Sequence, residues 1–335
     1  MSLPTRLSYA FIAVMLVAVG WLNLATPLVT VLFCFFALHM LSFRGRKALS
    51  IALFLILITG VGLGFYFFAK QAVDALPRIV QDTVPVVLGW AEKQGIELPF
   101  SDYASLRALA IDTVEREFRG IGKYAGVALI QAAAIIIGIV VAVSLFLNSR
   151  FDLEADQPAH SNNLYTLTAT QIAKRFSIFY ESFATVMGAQ IVISAINTAL
   201  TAMFLLWNDF HYAKVLIGVT FLCGLLPIIG NIISNTFIVG VAFTISPRMA
   251  LFALIFLVVL HKTEYFLNSK IIGDRIQNPM WLTLIGLVLG EKLMGIPGMI
   301  LAPVILHYIK VEAKRSRVTH PGGKERIVAE ETVSS

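Results

Sequence analysis

Hydrophobic positions in this chain fall in long blocks, without the strict alternation that marks a half-buried strand. Apolar runs cover residues 7–24, 28–43, 48–68, 124–147, 184–207, 212–243, 249–260 and 281–309. At 1.5 Å per residue, a helix of about 20 apolar residues spans a hydrocarbon core of about 30 Å. The blocks therefore predict an all-α, polytopic helical membrane protein with about eight hydrophobic segments. Asn23 and Pro27 mark a tight turn between the first two, and Pro27 suits the opening turn of a helix, where its missing N–H costs nothing.

The sixth and eighth segments are too long and too interrupted for plain crossings. LPIIGNIISN (226–235) breaks the run 212–243, and GEKLMGIPGMILAP (290–303) breaks the run 281–309. Each is either kinked and tilted or folded into a re-entrant hairpin. Backbone breaks at membrane depth belong where protein or a water-filled cavity faces them, and paired interrupted segments point to a transporter's substrate site. Pro227 is expected to free the carbonyl of Cys223, and Pro297 and Pro303 those of Leu293 and Met299, because proline donates no hydrogen bond.

Polar stretches set the remaining layout. Residues 70–123 alternate acidic and basic side chains around Pro77, Pro85 and Pro99, and read as short amphipathic helices on the extracytoplasmic side. Residues 149–183 read as a cytoplasmic loop followed by an interfacial amphipathic helix carrying Lys174 and Arg175. One membrane domain thus covers 1–310, and 311–335 forms a basic cytoplasmic tail of disordered composition. The basic loop Arg44, Arg46, Lys47 and the tail residues Lys310, Lys314, Arg315 and Arg317 place both termini in the cytoplasm by the positive-inside rule. Hairpins, in place of crossings, would also bring Lys262, Lys270 and Arg275 to that side. The N-terminal run, with Arg6 before it and no small-residue cleavage site, reads as a retained helix.

Composition narrows the functional classes. Of 335 residues, 58% are hydrophobic and 14% charged, against about a quarter charged in soluble domains. The net charge of +6 is accounted for by loop bias, with no nucleic-acid partner implied. Cys34 and Cys223 both lie in apolar runs, so neither a disulfide framework nor a thiolate metal site is indicated. HKTE (261–264) departs from the HExxH zinc helix, and no GxSxG or phosphate-binding GxxxxGK[ST] occurs. No enzyme chemistry, cofactor or metal is expected, and energy for transport would come from an ion or solute gradient.

Candidate pathway residues sit inside the apolar runs. Gln190, Ser194, Asn197 and Thr201 share one helix face; they either line a route or hydrogen-bond between helices. Asn231 and Asn235 sit four apart beyond the first break, beside Gly230. Glu264 and Asn268 share a face with His261, and an intramembrane carboxylate is by default a functional candidate. Glu291, with Lys292, could coordinate a coupling ion or form the polar tip of a hairpin; Gly295, Pro297 and Gly298 follow it. Gly60 and Gly64, four apart, read as close helix packing.

GLLPIIGNII (224–233) and the continuous stretch from Glu264 to Val304, EYFLNSKIIGDRIQNPMWLTLIGLVLGEKLMGIPGMILAPV, resemble the AI-2E family of bacterial permeases, named for export of the quorum signal autoinducer-2. Pro227, Gly230, Glu264, Asn268, Gly273, Gly286, Gly290, Gly295, Gly298 and Pro303 match its pattern. Ser269 departs from it, standing where many relatives carry a proline. The resemblance implies a transporter in the bacterial inner membrane, a homo-oligomer with a pentamer among the forms open to it, and sodium or lithium/proton antiport in some members.

The expected function is a secondary transporter exporting a small polar solute such as autoinducer-2. The alternatives are a Na+ or Li+/proton antiporter with Glu264 or Glu291 titrating, and a non-transporting membrane scaffold.

Overall fold

The structure is a computed structural model that describes residues 2–42, 46–95, 125–148, 163–226, 229–272 and 279–315, with backbone alone at 125, 127, 128, 265–272 and 280. Asn23, in the left-handed region at φ 54°, turns α1 (Leu3–Trp21) into α2 (Ala25–Met40). Asparagine tolerates that conformation better than most side chains. α2 packs along α4 (Ala125–Leu147), where Leu38 and Phe54 share a core with Ala142 and Phe146. Ile12 of α1 and Val29 and Leu32 of α2 form a second core with Ile178, Phe183 and Met187.

Two helices run on where the polarity pattern predicted a break. α3 is a single helix, Lys47–Lys93, of 47 residues, about 70 Å long. Its second half is not the series of short helices expected after Lys70, although Pro77 and Pro85 lie inside it. Packing overrides the prolines: Ala72 and Ala75 pack with Val215 and Val219, Ile79 shares a core with Ile238, and Trp90 lies 5.5 Å from Phe243. Asp82 also accepts a hydrogen bond from the Tyr212 hydroxyl at 2.9 Å. The rest of the polar region, 96–124, lies outside the described residues. α5 likewise runs unbroken from Leu164 to Trp207, joining the expected interfacial helix to the fifth crossing. Asn163 starts it by accepting the Thr166 amide at 2.8 Å, a side-chain N-cap.

Both interrupted runs fold back on themselves. α6 (Ala213–Gly224) and α7 (Ile229–Ile245) lie antiparallel: Leu216 of α6 shares a core with Ile238 and Val241, while Gly230 meets Cys223 at the other end. A Cβ on Gly230 would stand 1.7 Å from the Cys223 carbonyl oxygen, so the arms close only over glycine. α8 (Pro247–Ile272) follows and packs on α7 and α5. α9 (Met280–Arg315) contains a reversal at Gly295, with φ 62° and ψ −148°. Its two arms, 280–294 and 296–315, meet backbone to backbone: a Cβ on Gly290 would sit 2.4 Å from the Gly298 oxygen, and one on Gly286 3.2 Å from Leu306. By length and apolar content alone α9 would count as one span; the reversal makes it a hairpin.

Of the described helices, Leu3–Trp21, Lys47–Lys93, Leu129–Leu147, Leu164–Trp207 and the double-armed Trp281–Arg315 are long and apolar enough to cross a membrane. A Cβ added at Gly60, Gly62 or Gly64 would meet no atom within 4 Å, so the close packing expected of Gly60 and Gly64 is not made among the described residues.

Candidate functional site

The C-terminal end of α6 points its last carbonyls at α5. Carbonyls in the last turn of a helix have no partner within it, and lipid supplies none. Gln190 Nε2 donates to the Gly224 carbonyl at 2.6 Å, and Ser194 Oγ donates to that of Phe221 at 2.8 Å. The approach depends on Gly224, whose added Cβ would lie 2.5 Å from Ser194 Oγ. Half of the predicted polar stripe is thus committed to capping the first hairpin. The Cys223 carbonyl, expected to be free, accepts the Leu226 amide at 2.8 Å. Proline is not needed to explain its state, and Pro227 lies outside the described residues.

The other half of the stripe faces a cavity. Asn197 and Thr201 are 5% and 0% exposed, and Asn197 Oδ1 and Thr201 Oγ1 have no hydrogen-bond partner among the described residues. With them, Thr220, Asn231, Ser234, Asn235, His261 and Glu264 line a hollow between α5, the α6–α7 hairpin and α8. Its volume is about 10 Å³, the threshold for one water. Asn231 Nδ2 donates to both carboxylate oxygens of Glu264, at 3.0 and 2.8 Å. His261 Nδ1 stands 3.5 Å from Glu264 Oε2 at the exposed rim. Among the described residues no lysine or arginine lines the hollow; Asn231 and the imidazole of His261 are what meets the carboxylate there.

Several predicted residues are not part of this hollow. Glu291 and Lys292 form an exposed pair at 3.4 Å beside the reversal of the second hairpin. Gly295 makes that turn. Pro297 occupies the first turn of the return arm, where a missing N–H breaks no helical bond, so it does not free Leu293 as expected. Gly298 closes the arms against Gly290. The Asn268 side chain lies outside the described residues.

Sequence reading missed three things here. Thr220 and Ser234 join the hollow one helical turn to either side of the hairpin bend; their nearness to a break was the available signal. Arg175, expected on an amphipathic helix at the inner interface, is 6% exposed and ion-paired with the equally buried Glu312. No local signal marks a pair 137 residues apart.

A chain whose described elements are all helices, several of them of membrane length and apolar, with a buried polar hollow and two folded-back segments, has the make-up of an integral membrane permease. A family model of AI-2E family transporters matches residues 7–316, and the chain belongs to that family. It is also similar to YdbI of Bacillus subtilis (strain 168), a protein named for transport: the two are 29% identical over 157 residues, 45% of each chain. That match spans less than half of YdbI.

Proposed function

We propose that the protein is a secondary transporter exporting a small polar solute, of the kind autoinducer-2 represents, with the hollow between α5, α6–α7 and α8 as its central site. The observation that carries this reading is the pair of idle buried acceptors, Asn197 Oδ1 and Thr201 Oγ1, facing the same space as Glu264. Buried polar groups without partners are costly and need a reason; a passing solute is one.

The two hairpins support alternating exposure of that site. α6–α7 departs from and returns to the chain between the end of α5 and the start of α8, and α9 opens after the far end of α8. They therefore enter from opposite ends of α8. Positive-inside bias puts Lys262, Lys270, Arg275 and the tail in the cytoplasm, so α6–α7 would enter from outside and α9 from inside, in the bacterial inner membrane. In this conformation the hollow is too small for an organic solute, which makes it a closed state of the cycle.

That small volume favours a second reading on one count: a carboxylate in a water-sized polar hollow suits a proton or a bare monovalent cation. In the antiporter version Glu264 exchanges Na+ or Li+ for protons. Purified protein in liposomes, tested against autoinducer-2, small polar metabolites and Na+, separates the two. Solute flux surviving Glu264→Gln favours the solute carrier, and sodium flux lost with Glu264→Gln but kept with Glu291→Gln favours the antiporter. No flux of any probe in a folded protein would leave the scaffold reading.

A homo-oligomer is part of the proposal. The glycine face of α3 meets nothing among the described residues, and Ile56, Val61, Phe65 and Tyr66 around it are exposed; small-residue seams suit a neighbouring copy's helix.

A further inference from the structure

Arg175 and Glu312 form a buried ion pair away from the polar hollow, joining α5 to the return arm of the second hairpin. Tyr9 of α1 completes it, with its hydroxyl donating to Glu312 Oε2 at 2.7 Å and its ring 4.2 Å under the Arg175 guanidinium. Taking two charges out of water costs more than such a pair commonly returns, and well-packed apolar residues often serve stability as well. A pair kept here calls for a role other than stability.

Its place on α5 suggests that role. Thr168, Arg175 and Ser182 recur every seven residues, two helical turns apart, and Gln190, Asn197 and Thr201 continue along the same side. The polar groups of the hollow and the ion pair thus belong to one buried stripe. Thr168 Oγ1, Ser182 Oγ and the Arg175 Nε, like Asn197 Oδ1 and Thr201 Oγ1, have no hydrogen-bond partner among the described residues. Ser182, 1% exposed, lies on the stripe between the pair and the hollow. Idle polar groups to both sides of a charge pair are what a wetted route looks like when it is shut.

We infer that the Arg175–Glu312 pair, held by Tyr9, is a gate that closes the route between the central hollow and the end of the bundle where α1 begins and α9 ends. The inference rests on the transport reading for what passes, but not for how the gate is built. Opening requires the return arm of α9 to carry Glu312 away from α5, which couples the second hairpin to access along the α5 stripe.

The test reads water access, so that it can fail separately from transport. In full-length protein with Cys34 and Cys223 replaced by alanine, Ser182→Cys is exposed to a membrane-impermeant thiol reagent in right-side-out and inside-out vesicles. Labelling should be slow with the pair intact. Glu312→Gln or Arg175→Gln should speed it at least tenfold, from one vesicle face alone, and the swapped pair Arg175→Glu/Glu312→Arg should return it to slow. Glu312→Asp, which keeps the charge and withdraws it by one methylene, is the mildest variant and should give at least a threefold rise. An unchanged rate in folded Glu312→Asp and Glu312→Gln proteins overturns the gate, as does a swapped pair that labels as fast as the single variants. Gated labelling in a protein that moves no probe would instead sink the transport reading and leave the gate standing.

Discussion

Asn231, two residues into α7, donates through one amide nitrogen to both carboxylate oxygens of Glu264 on α8, at 3.0 and 2.8 Å. This contact ties the tip of the first hairpin to the helix behind it. It also positions the acidic group that lines the hollow among the described residues. Hydrogen bonds to charged groups are worth about 1.5–3 kcal/mol each way they are counted, so the contact is both a clasp and part of the site. Replacing Asn231 with leucine should lower the thermal midpoint of purified protein by a few degrees and cut flux of the transported probe at least tenfold. Equal flux in wild type and Asn231→Leu would detach the clasp from transport.

Gln190 presents a contrasting case. Its side chain caps the Gly224 carbonyl, and Gln190→Leu leaves that carbonyl buried and unpaired. The expected cost is about 1–3 kcal/mol, seen as a lower midpoint in detergent, with solute selectivity unchanged. A shift in selectivity at normal stability would return Gln190 to the pathway.

Glycines in this chain divide sharply by what surrounds them. Gly230→Ala and Gly298→Ala force a Cβ to 1.7 and 2.0 Å from carbonyl oxygens across their hairpins; each should destabilise by more than about 3 kcal/mol or prevent assembly. Gly62→Ala meets nothing among the described residues and gains about 0.8–1 kcal/mol of helix propensity, so it should be neutral or slightly stabilising in monomeric protein. Fluorescence-detected size exclusion on the three variants checks the order. Gly295→Ala meets no neighbour among the described residues but is placed at φ 62°, ψ −148°, a region essentially reserved for glycine, and should cost about 1–3 kcal/mol.

The arrangement of the hairpins predicts the side of the loop between α8 and α9. A cysteine replacing Asp274 should be labelled by an impermeant reagent in inside-out vesicles and protected in right-side-out ones. Labelling from the outer face would mean that the second interrupted run crosses the membrane, and with it the opposed-entry scheme would fall.

Local chemistry made much of this legible from the chain alone. Runs of about 20 apolar residues declare helices in lipid because no other open structure satisfies its own backbone there. The breaks around Gly230 and Gly295 showed themselves because proline and glycine act within one turn of where they stand. The face shared by Gln190, Ser194, Asn197 and Thr201 followed from helical periodicity. What periodicity could not say is what that face meets. Two of its members cap α6 and two line the hollow, and the split depends on where a helix 27 to 34 residues further on comes to rest. The same limit explains why α3 continues through Pro77 and Pro85: each proline costs a bond locally, but Val215, Ile238 and Phe243 hold the helix from outside. Arg175 read as part of an interfacial helix and residue 312 as part of the tail, because a charge announces its burial by its partner, and that partner was 137 residues away. The sequence by itself determined the solvent, the helices and the places where they must bend. Tertiary packing alone decided which polar groups are spent on structure and which are left facing a space, since that is settled by contacts between segments that the chain's order does not bring together.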